Sequence, residues 1–286
     1  MTEETNLYQM VSVHGGHSRE FCNHAQDTLE SMILRYIELG FKWVGITEHI
    51  YPPSNELRYT DEIESGLDQK FLKENFKKYM SKCRVLQQKY QDKIKIYTAF
   101  ETETYRGFKK LVLNAINNYK PDYIVGSVHH VDDHCIDYSP DSYQEAVKRA
   151  GGIHALYCRY FDIQYEMIET LSPAVVGHFD LIRIFDSNYK ETIKAPDVWQ
   201  RIVRNLKIIR EKNLIMDFNL RALKKGAEEP YISAQILEKA KEFRINVVPG
   251  DDSHSVSDIG LNMAKGIRIL QNAGFNMKWP KPRLYR

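Results

Sequence analysis

The chain has 286 residues, 43% of them hydrophobic and 27% charged, which is enough apolar material for a sizeable core and excludes wholesale disorder. A formal net charge of +2 gives no strong pull toward nucleic acid or a membrane surface. The four cysteines, Cys22, Cys83, Cys135 and Cys158, are scattered without a CxxC pair and read as reduced thiols, not a disulfide framework.

The N-terminal MTEETNLYQM lacks the basic and apolar regions of a signal peptide. No apolar run approaches the ~20 residues of a membrane span, so a cytoplasmic setting is expected. The first predicted strand is YQMVSV (8–13), which runs into HGGH. After Asp27-Thr28 comes a helix, LESMILRYIELGF, with Leu29, Met32, Ile33, Tyr36 and Ile37 on one stripe and Gly40 as its C-cap. WVGIT (43–47) is the second strand and leads into Glu48-His49. DQKFLKENFKKYMSKCRVLQQKY then places Phe71, Leu72, Phe76, Tyr79 and Met80 at helical spacing.

The third and fourth strands are IKIYTAF (94–100), followed by Glu101, and YIVGSV (123–128), followed by His129. QEAVKRAGGIHALYCRYFDIQYEMIETL reads as two helices divided at Gly151-Gly152. AVVGH (174–178) is the fifth strand and ends on His178. PDVWQRIVRNLKIIREKN begins with a proline suited to a first helical turn. LIMDFN (214–219) and INVVPG (245–250) are the last two strands, with the helix SAQILEKAKEF between them. The second of these strands precedes Asp252 and His254. A final helix, IGLNMAKGIRILQNAGF, leads to a short basic tail, 276–286, which reads as a solvated end.

Seven strand–helix units in series fit a barrel or a doubly wound sheet. The placement of polar residues chooses between them. A barrel gathers its chemistry at the C-terminal ends of many strands, a doubly wound sheet at one switch point. Six of the seven predicted strands run into His, Glu or Asp. We therefore expect an α/β fold, a distorted TIM-like (β/α)7 barrel, as a single domain over 1–286 with its core at about 8–275.

A single histidine is more often a satisfied core or surface residue than a ligand. Here His14, His17, His49, His129, His178 and His254 all fall at or just after an apolar run. Unpaired polar groups there are costly, and divalent cations explain imidazoles and carboxylates converging together. Glu101 closes an apolar strand, and Asp252 and His254, two apart, share one side of an extended segment. Asp251 points elsewhere by the same alternation, and so does His130. His134 and His154 read as surface residues. The sequence contains no GxGxxG after a strand, no GxxxxGK[ST] and no GxSxG elbow. Cys22 beside His24 reads as a small filler, not a nucleophile.

In order, these motifs resemble the PHP (polymerase and histidinol phosphatase) superfamily and most of all its histidinol-phosphatase branch. The family's opening HxH and the following His correspond to His14, His17 and His24 before DTLE. TEH ends at His49, the single Glu after strand three is Glu101, and GSVHH supplies His129. GHFDLIR supplies His178 and Arg183, and DDSH stands for the closing SDxH, giving Asp252 and His254. DYSPDSY and EPYISAQIL also look like this branch, and the likeness runs over about 11–275. Two positions depart from the pattern. HGGH replaces HxH, so the loop bulges or the second ligand moves, and Asp251 stands where the family has Ser.

The resemblance implies a distorted (β/α)7 barrel carrying two to three divalent metal ions, Zn, Mn or Fe. One metal would take His14, His17, Glu101 and Asp252. A second would take Glu101, His129 and His178, and a third His24, His49 and His254. Catalytic roles fall to Glu101, Asp252 and His254, and substrate or phosphate contacts to Arg183, Arg159, Arg19 and Glu20, with Arg221 and Lys224 as weaker candidates. The implied activity is phosphomonoester hydrolysis by a metal-bridging hydroxide, on L-histidinol phosphate in histidine biosynthesis. The alternative is a PHP-type phosphoesterase acting on a nucleotide, a nucleic-acid end or another small phosphorylated metabolite. A small phosphorylated metabolite is the expected partner, nucleic acid and membrane are disfavoured, and a homo-oligomer stays open. Two rivals stand further off. A barrel binding metal for stability alone does not need so many ligands, and an amidohydrolase-like barrel would want a strand-end Lys.

Overall fold

The computed structural model describes residues 9–285. The first residue of the predicted opening strand, Tyr8, and the last of the tail, Arg286, lie outside them. Seven parallel strands form the central sheet: β1 Val11–Ser12, β2 Trp43–Ile46, β3 Lys95–Glu101, β4 Tyr123–Gly126, β7 Val175–Val176, β8 Ile215–Asn219 and β9 Asn246–Gly250. Their order in space is their order in the chain. The sheet curls so that β9 returns to β1. Val13 N–H donates to the Pro249 carbonyl at 2.9 Å, and Asp252 N–H to the His14 carbonyl at 3.0 Å. This is the nearly closed parallel barrel expected from the sequence. A small antiparallel hairpin, β5 His130–Val131 with β6 His134–Cys135, rises after β4.

The helices are α1 Leu29–Glu38, α2 Thr60–Glu64, α3 Gln69–Lys89, α4 Phe108–Tyr119, α5 Pro140–Ala150 and α6 Ile153–Leu171. They continue with α7 Tyr189–Thr192, α8 Pro196–Glu211, α9 Arg221–Lys224, α10 Ala234–Glu242 and α11 Met263–Asn272. None is long and apolar enough to cross a membrane. Each long helix buries one stripe on the barrel. The α1 stripe is Leu29, Met32, Ile33 and Tyr36, and Thr28 caps it by accepting from Ser31 N–H. In α3 the buried set is Leu72, Phe76, Tyr79, Met80, Cys83 and Leu86. Phe71 was expected on that stripe and is instead 48% exposed, because one residue of helix turns it about 100° away.

The sequence reading missed α4. Its buried Phe108, Val112 and Ala115 have ordinary helical spacing, and the parallel pairing of β3 with β4 requires a crossover of this kind.

Candidate metal centre

The seven strands aim their C-terminal ends at one mouth, and the predicted histidines and carboxylates meet there. Glu101, the last residue of β3 and 1% exposed, lies at the centre. Its Oε2 faces His14 Nε2 at 3.3 Å, His49 Nδ1 at 3.3 Å and His17 Nε2 at 3.9 Å. Its Oε1 faces His178 Nε2 at 2.9 Å and His129 Nε2 at 3.3 Å. Asp252 Oδ1 is 3.2 Å from His17 Nε2, and the His17 ring stacks on His49 and lies tilted against His254, each at 4.6 Å between centroids.

The HGGH loop does keep His17 in the cluster. Neither of its glycines has a positive φ; close packing against backbone requires the first, and the second sits against a flexible side chain. A Cβ on Gly15 would stand 2.3 Å from the Gly45 carbonyl oxygen, and one on Gly16 would stand 2.5 Å from the Met32 methyl. His17 is then pinned by its own N–H, which donates to the Ser253 carbonyl at 2.7 Å.

Supporting carboxylates stand behind the imidazoles. Asp217 Oδ2 accepts from His14 Nδ1 at 2.9 Å, which orients the ring so that Nε2 faces Glu101 and is the nitrogen a metal would take once its proton is displaced. Gly250 permits this, since a Cβ there would lie 2.0 Å from Asp217 Oδ1. His254 Nδ1 donates to the Asp252 carbonyl at 3.0 Å, so its Nε2 is unprotonated. Glu48 accepts from Ser18 N–H and Oγ at 2.7 and 2.8 Å and faces His17 Nδ1 at 3.7 Å. Glu103 meets His49 Nδ1 and His129 Nδ1, both at 2.9 Å, His130 Nδ1 at 3.2 Å and the Tyr59 hydroxyl at 3.0 Å.

The electrostatics match this layout. Burial opposes ionisation of Glu101, but His14, His129 and His49 outweigh it and hold the carboxyl well below its usual range. Glu103 and Asp252 are lowered for the same reason, chiefly by His129 and by His14 with His17, respectively. Burial and neighbouring imidazoles push His24 and His254 well below the usual histidine value, so both are neutral near pH 7.

Do these residues fit divalent cations? No well-aligned hydrogen bond satisfies buried His14 Nε2, either ring nitrogen of His17, or Nδ1 of His49, His129 and His178, although carboxylate oxygens lie 2.9–3.7 Å from all but the last. Glu48 Oε2 and Asp217 Oδ1 are also buried without a hydrogen-bond partner. Orphans this dense are rare in a native interior, and imidazole and carboxylate suit Zn, Mn or Fe. The ligand atoms of His14, His17 and Asp252 lie within 4.8 Å of one another, and so do those of His14, Glu101 and His178. The residues fit.

Ligand atoms of His17, His49 and His254 lie within 4.8 Å of one another. His24 stands beside that set, its ring centroid 4.8 Å from that of His254 and 5.5 Å from that of His49, with its nitrogens 3.0–3.2 Å from Cys22 Sγ. Two expectations change. His130 does not turn away from the site but joins Glu103. The proposed phosphate contacts also sort themselves. Arg159 is a surface residue in a fork with Asp132. Glu20 accepts from Leu29 N–H at the start of α1 and pairs with Lys82, and Arg19 is exposed outside the mouth. Arg183 is buried between the Tyr189 and Tyr231 rings, each 4.8 Å away. Its Nε binds Asp180 and its Nη2 the carbonyls of Glu229 and Pro230, and Nη1 makes no hydrogen bond among the described residues. Arg221, at the start of α9, lines the mouth directly with Lys225.

The sequence reading missed Glu103 and Asp217. Both obey the alternation that paired Asp252 with His254, as Glu103 is two residues past Glu101 and Asp217 two before Asn219. Replacing Glu103 with Gln should weaken metal retention ~10–100-fold, the usual cost of losing a carboxylate behind ligating histidines; chelator competition measures it.

With this geometry in place, similarity to known proteins can be read. The PHP domain model matches residues 15–221. A Schizosaccharomyces pombe protein provisionally named a histidinol-phosphatase is 37% identical over 92% of this chain and 87% of its own. The Saccharomyces cerevisiae histidinol-phosphatase is 28% identical over 87% of this chain and 84% of its own. The crystal structure of histidinol phosphate phosphatase from Lactococcus lactis, complexed with zinc, L-histidinol and phosphate, shares the fold. Its TM-score is 0.73 at 18% identity, covering 96% of this chain and 99% of that one. The domain model spans well over half of the chain and the Schizosaccharomyces pombe relative matches 92% of it, and on that ground the chain belongs to the PHP domain family.

Proposed function

We propose that the protein is a metal-dependent histidinol-phosphatase that hydrolyses L-histidinol phosphate to L-histidinol and phosphate in histidine biosynthesis. The observation that carries this reading is the Glu101 carboxylate ringed by five imidazoles at the floor of an open mouth, in a chain so like named histidinol-phosphatases. His14, His17, His49, Glu101, His129, His178, Asp252 and His254 would hold two to three divalent cations. Bound there, the cations supply an acidified water and neutralise phosphoryl oxygens.

The protein's own groups do the rest. Glu101 and Asp252 stay ionised at neutral pH and serve as ligands, not as acids. Asn219 Nδ2 donates to Asp252 Oδ2 at 3.1 Å and to Asp217 Oδ2 at 2.9 Å, which fixes both carboxylates. The remaining phosphate oxygens fall to Arg221, held at 3.0 Å by Asp258, and to the free Nη1 of Arg183. Opposite Arg221, α2 and the loop after β6 bring Asp61 and Asp137 to the same mouth, and neither is salt-bridged among the described residues. A mouth basic on one side and acidic on the other suits a small molecule that carries both a phosphate and an ammonium.

The test is an assay of metal-loaded enzyme on L-histidinol phosphate beside nucleotides, 3′-phosphorylated oligonucleotides and simple phosphomonoesters. L-histidinol phosphate should have the highest kcat/KM, and preference for a nucleotide or oligonucleotide would overturn the reading. Arg221→Ala should lower kcat/KM by roughly 10²-fold, the scale for removing one charge-stabilising donor.

A further inference from the structure

We propose that Asp251 is a positioning residue for the metal centre, clasping the seam between β1 and β9 so that His14 and Asp252 are held in ligating position. The inference rests on the metal-centre reading above and concerns the position where the resembled motif has Ser.

Asp251 is buried, and its side chain turns away from the imidazoles. Ser12 Oγ sits 2.5 Å from Asp251 Oδ1 and 2.8 Å from the His14 carbonyl. Tyr36 on α1 donates to both carboxylate oxygens at 3.0 Å, and Ser253 Oγ donates to Oδ2 at 2.8 Å. Asp251 N–H returns a bond to Ser12 Oγ at 3.1 Å. One carboxylate therefore ties the first strand and the first helix to the segment leaving the last strand. A serine hydroxyl, with one proton and a shorter reach, cannot gather these three donors.

The seam needs such a device. The barrel closes there through few backbone bonds, and His14 and Asp252 approach from opposite sides of it. Asp252 has φ +45°, a conformation that persists in a non-glycine residue only where its surroundings over-determine it. Its N–H donates to the His14 carbonyl, the oxygen that also meets Ser12 Oγ. The clasp and this bond thus meet at one seam, where Ser12 Oγ, with a single proton to give, lies between Asp251 Oδ1 and the His14 carbonyl. No Lys, Arg or His pairs with Asp251 among the described residues, so its role is not that of a surface ion pair.

The experiment is Zn²⁺ retention by competition with a chromogenic chelator, on full-length wild type, Asp251→Ser, Asp251→Asn and Tyr36→Phe, with circular dichroism and metal-free Tm as checks of folding. Asp251→Ser and Asp251→Asn should bind one class of Zn²⁺ ~10–100-fold more weakly, the scale for positioning groups behind metal ligands, and Tyr36→Phe less so. The other bound metal should be unchanged. If Asp251→Ser does not fold, Asp251→Asn and Tyr36→Phe decide. Folded variants that keep every Zn²⁺ at wild-type affinity overturn the proposal and leave the metal-centre reading standing. Wild type that binds no Zn²⁺ overturns both.

Discussion

Glu101→Gln should cut metal-dependent hydrolysis of L-histidinol phosphate by at least ~10²–10³-fold, the scale for losing a charge-stabilising group at a reacting centre. The purified variant should also carry less metal. The argument is local. Gln has the size of Glu, so no cavity is left, and the change removes one negative charge and one acceptor face. Those are what five imidazole nitrogens within 4 Å converge on. No neighbour substitutes, because Glu103 is engaged with His49, His129 and Tyr59, and Asp252 faces His17 and His254 and is held by Asn219. Kinetics and metal content together decide. A variant with wild-type metal content and kcat/KM would remove Glu101 from the centre. One that keeps metal but loses kcat would make it a catalytic group that is dispensable for binding.

How much of this was legible beforehand follows from what each feature depends on. The barrel was readable because buried parallel strands are apolar runs and α1, α3 and α8 bury regular stripes. His14, His49, Glu101, His129 and His178 were readable because each stands where an apolar run ends. Helix α4 has good spacing but no sharp opening signal, since Gly107 precedes it without a side-chain cap. Glu103 hid in ETETY, just past the end of the apolar run, and only the fold brings Tyr59 and His130 onto it. The place of His17 beside His49 and His254 was not legible, because it depends on how far the HGGH loop sinks toward Gly45 and Met32. Arg159, Arg19 and Glu20 show the opposite failure. A charged residue's use is set by its partners, and Asp132, Lys82 and the α1 amide are distant in sequence.

The largest effect of conditions should be an opposition between metal-free stability and metal affinity as pH rises. In the metal-free protein, burial works against the charged form of His17, but Asp252 and Glu48 outweigh it and push its pKa up to about 9. His14 is raised well above the ordinary value against the same burial by Glu101, Asp252 and Asp217, and His129 by Glu103 and Glu101. A group raised on folding gives stability that is complete below its unfolded pKa, ~6.5 for histidine, and lost as pH rises through its folded value. Metal-free Tm should therefore fall between ~pH 6.5 and about 9. On the acid side, Glu101, Glu103 and Asp252 are lowered on folding, so their contribution is present above ~pH 4–4.5 and disappears as pH drops further. Metal binding has the reverse slope across the neutral range, because it must displace the protons that His14, His17 and His129 carry. Added Zn²⁺ or Mn²⁺ at ~10³ times its dissociation constant stabilises by about 4 kcal/mol, a rise of roughly 8–16 °C for a chain near this size. Thermal melts with and without metal from pH 6 to 9 should show that gap widening with pH. A gap that narrows would mean that these imidazoles are already neutral in the metal-free protein, and that the carboxylates facing them are held by something other than their charge.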